Sequence, residues 1–168
     1  SADLEPTLTV PGATFVGVNT AHGVGWYTLT TRVRDVSIIG VVTDAQLDTP
    51  YRDGGWTPRQ IVHHIADSHM NAYVRFKLGV TEDNPTIKPY VESAWAKLED
   101  YKSTPIAVSL ALLDAVHDRW LRLLRAMPER DFARRYVHPV TGQHSVDHLL
   151  AVYNWHGPHH TAHVTRLR

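Results

Sequence analysis

The sequence lacks cysteine altogether, which excludes disulfide bonds, thiolate metal ligands and a cysteine nucleophile. It has no apolar run near the ~20 residues that span a bilayer, and residues 1–5 lack the basic and then apolar layout of a secretory signal. Its 17 Lys and Arg are balanced by 17 Asp and Glu, so no excess charge attracts nucleic acid or an anionic membrane. We therefore expect a cytoplasmic protein that binds neither.

Histidine, by contrast, is abundant, with 12 residues in a chain of 168. The length suits a single domain spanning residues 1–168, and the apolar fraction of 43% is that of an ordinary globular protein. The histidines concentrate in two segments, residues 63–69 and 156–163. Their clustering makes a metal site the first functional hypothesis, with a surface patch or a pH-responsive interface as the alternatives.

The first quarter of the chain has the weakest structural signals. Residues 1–24 contain two prolines and no periodic pattern, which predicts an extended lead-in. From roughly Gly25 to Val42, apolar residues recur at three- and four-residue spacings, which predicts a first helix. Several threonines and valines in that segment are weak helix formers.

Three further helices have clearer boundaries. Thr57, Pro58 and Gln60 form a capping-box pattern that starts a second helix, which runs to about Leu78. A third helix opens at Thr104-Pro105 and stops before Pro128, and Ser145 caps a fourth that runs towards the C-terminus.

The connections between these helices are less regular. The proline-rich connection at 81–104 holds a short predicted helix around Glu92–Glu99, and His138–Gly142 is predicted to be a turn or hairpin tip. With no strong strand signal, the pattern predicts an all-α protein, a four-helix bundle of up-down type.

Helix phase separates two histidine pairs in the fourth helix. His156 and His160 are one turn apart and share the apolar face, so both imidazoles can converge on one ion. His159 and His163 lie on a more polar face that points outwards.

In the second helix, His64 borders the apolar face while His63 points away from it. Phase therefore favours a site made of His64, His156 and His160. Three neutral imidazoles leave a coordination position for water or substrate, as a catalytic metal requires. A fourth protein ligand would instead indicate a structural ion that pins helices together in a non-enzymatic scaffold or sensor, and the residues able to supply it are His69, His159 and His163.

Three polar residues share the edge of the second helix on which His64 lies. Ser68, Asn71 and Arg75 can line the approach to the metal, with Arg75 holding an anionic group of a substrate. The alternative of equal weight is a solvated helix edge with no role in binding.

Several segments together are similar to one known family. They are Trp56–Asn71, Arg75–Leu78, Pro85–Tyr90, Ala94–Trp95 and Trp155–His163. This pattern, which covers about three quarters of the chain from Asp44 onwards, resembles the DinB superfamily and especially its YfiT-like branch of metal-dependent hydrolases. The region before Asp44 departs from the amphipathic first helix of that branch.

The resemblance implies a four-helix bundle, a homodimer and one divalent ion per chain, zinc or alternatively nickel, bound by His64, His156 and His160. It implies a hydrolase that activates water for attack on a small-molecule substrate. Some relatives are instead S-transferases that act with a low-molecular-weight thiol, bacillithiol or mycothiol.

Two local features bear on the chemistry. No Glu or Asp directly follows a proposed ligand, so the HExxH arrangement of zinc peptidases is absent and no general base is identified. Pro158 falls between His156 and His160, where a proline removes a helix hydrogen bond and favours a kink or bulge.

Overall fold

The structure, a computed structural model, describes residues 9–10, 13–20, 23–29 and 43–165, with side chains from 43 to 164. In chain order the elements are β1 (Thr9–Val10), β2 (Ala13–Thr20), β3 (Gly23–Leu29), α1 (Asp44–Leu47), α2 (Pro58–Thr81), α3 (Glu92–Trp95), α4 (Asp100–Ser103), α5 (Ile106–Ala126), a 3₁₀ helix (Glu129–Ala133), β4 (Arg135–His138), β5 (Gly142–Ser145) and α6 (Val146–Thr165). The three long helices α2, α5 and α6 form the frame of the molecule.

Helix α2 begins where the capping-box pattern predicts. The Thr57 hydroxyl accepts a hydrogen bond from the Gln60 amide at 3.2 Å, and the Gln60 side-chain oxygen accepts one from the Thr57 amide at 2.9 Å. Pro58 occupies the first turn, where no amide is required. The helix runs for 24 residues to Thr81, three residues beyond the predicted end. Its start is thus confirmed, and its length is enough to carry both core residues and site residues.

The hydrophobic core lies where α2 meets α5 and α6. Trp120 is fully buried, with its ring centroid 5.5 Å from that of Phe76 on α2 and 5.9 Å from that of Tyr153 on α6. Burying a large apolar side chain of this kind stabilises a fold by roughly 1.5–3 kcal/mol. Among the described residues, no helix combines the length and apolarity that crossing a bilayer requires.

A two-stranded hairpin tethers the proline-rich connection. Strands β4 and β5 pair antiparallel, and Gly142 takes a φ of 87° at the turn, a conformation that glycine tolerates. The Ile87 amide donates to the Val137 carbonyl at 2.9 Å, and the Val137 amide donates to the Pro85 carbonyl at 2.8 Å. The predicted hairpin tip is therefore confirmed, and the connection after α2 is fixed by β4.

The predicted first helix, Gly25–Val42, is wrong over residues 25–29. These residues belong to β3, which pairs antiparallel with β2 so that Val16 lies opposite Tyr27. β-Branched and aromatic residues favour strands when a partner strand is available, and this overrides a helical spacing of apolar residues. The expected lead-in at 1–24 likewise contains strands, while residues 30–42 lie outside the described residues.

Two smaller boundaries also differ from prediction. The short helix predicted around Glu92–Glu99 ends at Trp95, and α4 follows as a separate turn. Helix α5 has Pro105 rather than Thr104 at its cap position and makes no side-chain cap bond there. Neither difference moves the long helices that carry the site.

Candidate metal centre

The structure brings together the three histidines that helix phase selects. His64 comes from α2, while His156 and His160 lie one turn apart on α6; we call these three side chains the imidazole triad. One ring nitrogen from each can be chosen so that all three lie within 4.8 Å of one another. The ring centroids are 4.5 Å apart for His156 and His160, and 4.8 Å and 5.3 Å from His64 to His160 and His156.

These separations suit a divalent metal ion. Zinc–nitrogen bonds of about 2.1 Å in tetrahedral geometry place ligand nitrogens ~3.4 Å apart. The nitrogens of the triad lie within 4.8 Å, so modest side-chain rotations suffice to bring them to coordination distance. The three side chains therefore fit a three-histidine site.

Burial keeps the triad in its metal-binding protonation state. Desolvation lowers the pKa of His64 to about 4, of His156 to about 3 and of His160 to about 4. Repulsion between the histidines adds to the lowering for His156 and His160. All three imidazoles are thus neutral near pH 7, and a neutral imidazole has the free lone pair that coordination requires.

Two buried nitrogens of the triad have no hydrogen-bond partner among the residues that the structure describes. Nδ1 of His64 and Nδ1 of His160 make no hydrogen bond within the described part of the chain. Buried polar atoms are normally paired, and an unpaired one costs about 1–3 kcal/mol. A cation bound between these rings would offset that cost, which supports the fit of a metal.

His69 lies behind the triad and is not a fourth member. Its Nε2 is 3.3 Å from Nδ1 of His156, and its Nδ1 is 2.7 Å from Nε2 of His117 on α5. Both ring nitrogens are therefore engaged in hydrogen bonds, and the side chain is 3% exposed. The structure places His69 as a support for His156, rather than as the closing ligand that a structural site would need.

The other two candidates for a fourth ligand contact His160, with ring centroids 5.1 Å away for His159 and 5.5 Å for His163, but their nitrogens are not grouped with those of the triad. His159 stacks on the exposed Trp155, with ring centroids 4.2 Å apart, and His163 stacks on Tyr51 at 4.7 Å. His163 and His160 line a cavity of about 230 Å³ beside the loop that contains Tyr51 and Trp56. This cavity gives one side of the triad space for a small molecule.

Helix phase predicts that His63 points outwards, but the structure shows that its side chain is buried. It is 4% exposed, and its Nδ1 is 2.7 Å from the Ser109 hydroxyl on α5. Helix α2 is covered by α5 on this side, so a face that looks polar in sequence becomes a helix interface. His63 packs against Tyr101 and away from the triad.

The three predicted pocket residues differ in how they are engaged. The buried Ser68 hydroxyl lies 3.2 Å from the Tyr153 hydroxyl, one turn along α2 from His64. The Asn71 amide nitrogen donates to the Asp67 carbonyl of its own helix at 2.8 Å. Arg75 donates to the Lys88 carbonyl at 2.9 Å and keeps its Nε without a hydrogen bond among the described residues. Ser68 and Arg75 thus remain the stronger candidates.

Pro158 does not divide the candidate site. Helix α6 is continuous from Val146 to Thr165 with Pro158 inside it. The rings of His156 and His160 on either side of it remain 4.5 Å apart. The helix therefore tolerates the loss of the backbone N–H at Pro158, and the rings of His156 and His160 stay close together.

Sequence reasoning missed the residues that support and wall the triad. His117 lies in the predicted third helix between apolar neighbours, a position that by itself indicates a core residue, and its role as partner of His69 depends on the packing of α5 on α2. Trp56 packs edge-on against His64, with ring centroids 4.8 Å apart. Its position directly before the α2 cap was the available signal.

Comparison with known proteins identifies the family to which the chain belongs. Residues 26–164 match the DinB superfamily, so the chain belongs to that superfamily. Since the match spans most of the chain, including all three long helices, the resemblance found in the sequence is confirmed.

Two relatives from Bacillus species are each more than half identical to this chain over the part that they share with it. The chain is 53% identical over 130 residues to a Bacillus subtilis (strain 168) protein named "Putative metal-dependent hydrolase YfiT", covering 77% of this chain and 73% of that protein. A Bacillus cereus (strain B4264) protein named "Putative metal-dependent hydrolase BCB4264_A2719" is 56% identical over 123 residues, which cover 73% of this chain and 70% of that protein.

Solved structures confirm the fold. The structure of YfiT from Bacillus subtilis, described as a probable metal-dependent hydrolase with an unusual four-helix bundle topology, superimposes with a TM-score of 0.76 at 52% identity, covering 79% of this chain and 76% of that chain. A second four-helix bundle protein, 20% identical, matches with a TM-score of 0.50 over 74% of this chain and 82% of its own, which supports the fold alone. The fold is a four-helix bundle.

Proposed function

We propose that this chain is a metal-dependent hydrolase that binds one divalent ion, zinc in preference to nickel, through His64, His156 and His160. The observation that carries the proposal is the convergence of three buried, neutral imidazoles whose nitrogens lie within 4.8 Å of one another. The names of the relatives support the same activity class. Bound there, a divalent ion would supply Lewis acidity, lowering the pKa of water and polarising a carbonyl group.

The hydrogen-bonded residues His69 and His117 behind the triad would set the orientation of the His156 ring towards a bound ion. With Nε2 of His156 as the coordinating atom, its Nδ1 carries the proton and donates to Nε2 of His69, 3.3 Å away. His69 then has its own proton on Nδ1 and donates to Nε2 of His117 at 2.7 Å. Hydrogen bonds of this kind behind a metal ligand set its tautomer and ring orientation.

The cavity beside His160 supports an enzyme over a structural ion. A structural zinc site is normally closed by a fourth protein ligand. Of the three histidines able to close this one, His69 is hydrogen-bonded to His117, while His159 and His163 stack on Trp155 and Tyr51 and their nitrogens are not grouped with those of the triad. A position on the ion therefore remains for water or substrate.

One observation favours thiol S-transfer as a second candidate. Within the described residues, no carboxylate makes a hydrogen bond to the triad; the nearby Asp67 accepts one from the Tyr101 hydroxyl at 2.6 Å. Hydrolysis benefits from a general base, whereas a thiol that binds a cation as its thiolate is already the attacking species. A low-molecular-weight thiol such as bacillithiol is the co-substrate in that case.

Metal content tests the ligand assignment. The purified protein should contain about one divalent ion per chain by elemental analysis, and His160→Ala should lose it because two imidazoles hold an ion poorly. His159→Ala is the matched control, since it removes the adjacent histidine on the same helix and should keep the metal. Full occupancy in His160→Ala would show that the assignment is wrong.

Product analysis separates the two reactions. The metal-loaded protein is incubated with an activated electrophile, with and without bacillithiol, and products are followed by mass spectrometry. Hydrolysed product without thiol, abolished in His64→Ala, supports the hydrolase. A conjugate that needs the thiol supports the transferase, and neither product across a substrate panel would leave the scaffold or sensor as the better hypothesis. The homodimer and the cytoplasmic location stay predictions.

A further inference from the structure

A cluster of hydrogen-bond donors lies next to the imidazole triad and takes no part in holding a metal. It consists of the Arg75 guanidinium, the Tyr90 and Tyr153 hydroxyls and the Ser68 hydroxyl. Ser68 lies one turn beyond His64 on α2, a rise of about 6 Å. Tyr153 lies one turn before His156 on α6, with ring centroids 5.4 Å apart. The cluster therefore adjoins the site along both helices.

Arg75 is held in place without being neutralised. Its guanidinium carbon lies 5.8 Å from the centroid of the Tyr90 ring, and one terminal nitrogen donates to the Lys88 carbonyl at 2.9 Å. No carboxylate forms an ion pair with Arg75 in the part of the chain that the structure describes. Its Nε is buried and makes no hydrogen bond there. The backbone anchor orients the cation, which also acts through a hydrogen bond on Tyr153 and lowers the pKa of that phenol; the donor that remains unpartnered is Nε.

The hydroxyl groups around Arg75 also offer unused donors. The Tyr90 oxygen is buried and has no hydrogen-bond partner among the described residues. Tyr153 and Ser68 share a single hydrogen bond of 3.2 Å, which uses one of their two protons. Buried donors left in this state are costly unless a ligand completes them.

The electrostatic surroundings favour an anion. Burial raises the pKa of both Tyr90 and Tyr153, which keeps the two phenols protonated as donors. Hydrogen bonding by Ser68 and then the charge of Arg75 act against this rise in pKa at both phenols, so both groups lie close to them. The negative charge that acts on the same pair is that of Glu92, an exposed residue at the start of α3.

We propose that Arg75, Tyr90, Tyr153 and Ser68 form a carboxylate-binding subsite for the anionic group of the substrate; the subsite begins one helical turn from the metal ligands at Ser68 and extends along α2 towards Arg75. One guanidinium with neutral hydroxyl donors matches a singly charged, planar oxyanion. Asn71 lies on the same helix edge, but its side-chain amide donates a hydrogen bond to the Asp67 carbonyl, so it is not part of the subsite. The subsite's role in catalysis rests on the proposed function, whereas anion binding by these four side chains does not.

The test uses metal-free protein, so that the probe cannot bind a metal ion. Acetate is titrated against acetamide, which has the same shape without the charge, while the Arg75 Nε–H resonance is followed by NMR. That resonance is assigned by its loss in Arg75→Lys. We expect a saturable shift with acetate and none with acetamide.

Variants then show which side chains contribute to the affinity for acetate. Arg75→Gln should weaken acetate at least about tenfold and Tyr90→Phe severalfold, because hydrogen bonds to charged groups are the stronger class. Arg122→Gln, which removes an exposed arginine of α5 that pairs with Asp118, is the control and should leave acetate binding unchanged.

The proposal fails if the Nε–H resonance does not respond to acetate, if acetamide shifts it equally, or if Arg75→Gln binds acetate within twofold of wild type. Should Arg75→Gln not fold, Tyr90→Phe and the wild-type resonance decide. Because no metal is present, failure here leaves the metal content and product analysis of the proposed function unaffected. Absence of metal in the purified protein would, conversely, leave the acetate result standing.

Discussion

Lowering the pH should destabilise the metal-free protein through the imidazole triad. The folded state lowers the pKa of His64 and His160 to about 4 and of His156 to about 3, against an ordinary value near 6.5. Between these values the unfolded chain binds more protons than the folded one. The free energy of unfolding is therefore fully present above about pH 6.5 and falls as the pH drops towards 4.

The size of the effect follows from how strongly an unfolded histidine is protonated. At pH 5.5, protonation in the unfolded state costs the fold about 1.4 kcal/mol for each histidine that stays neutral when folded. Three such residues give about 4 kcal/mol, and the partial exposure of His156 and His160 reduces this to about 2 kcal/mol through solvent screening. For a chain of this length, that corresponds to a drop in Tm of roughly 4–8 °C.

Urea unfolding of metal-free protein at pH 7.5 and 5.5 measures this difference together with the contributions of His63 and His69, whose pKa values burial also lowers; comparison with a triad variant isolates the part due to the triad. His64→Gln, which cannot titrate in this range, should lose about 1.4 of the ~2 kcal/mol, because His64 is the buried member of the triad that is not discounted for exposure. An unfolding free energy that is the same at both pH values in the wild type would refute the reasoning, since it would mean that the triad takes up protons in the folded state. The folded pKa values would then lie near those of exposed histidine.

Three further perturbations have directions fixed by the structure. At free metal about 100-fold above its Kd, binding adds about 2.7 kcal/mol, so a chelator should lower the Tm by roughly 5–11 °C; an unchanged Tm in differential scanning fluorimetry would contradict metal binding. Gly79→Ala should destabilise by about 1–3 kcal/mol because the added carbon lies 2.9 Å from Cγ2 of Val146, and adding Val146→Ala should cost less than the sum of the two single changes by urea unfolding. Trp120→Ala should cost about 3–5 kcal/mol, and a loss under 1 kcal/mol would show that its fully buried position is not part of a packed core.

The parts of this protein that could be predicted from sequence are those set by local rules. The Thr57, Pro58 and Gln60 pattern fixes the start of α2 through bonds within four residues. The four-residue spacing of His156 and His160 fixes their common face. The placement of His64 towards them follows from the apolar stripe of α2, which indicates the direction of the core.

The parts that could not be predicted depend on which elements become neighbours. His63 has a polar phase on α2 but is buried because α5 covers it, and its bond to Ser109 joins residues 46 positions apart. His69 and His117 form their hydrogen bond across the same helix pair. Strand β3 depends on its pairing with β2, and the spacing of apolar residues within one segment gives no information about that partner. Tertiary contacts decide each of these cases.

The unequal division of the triad between helices has a consequence for assembly. With the proposed ligands, His156 and His160 would form a two-point chelate within a single turn of α6, whereas His64 comes from a separate helix. A chain that has formed only α6 can therefore bind an ion weakly before the bundle closes, and unfolded-state binding of this kind reduces the net stabilisation at high metal concentration. Because His64 is synthesised before His156 and His160, the proposed three-histidine site would be complete only once α6 has formed. Excess zinc should consequently slow refolding while still raising the final stability.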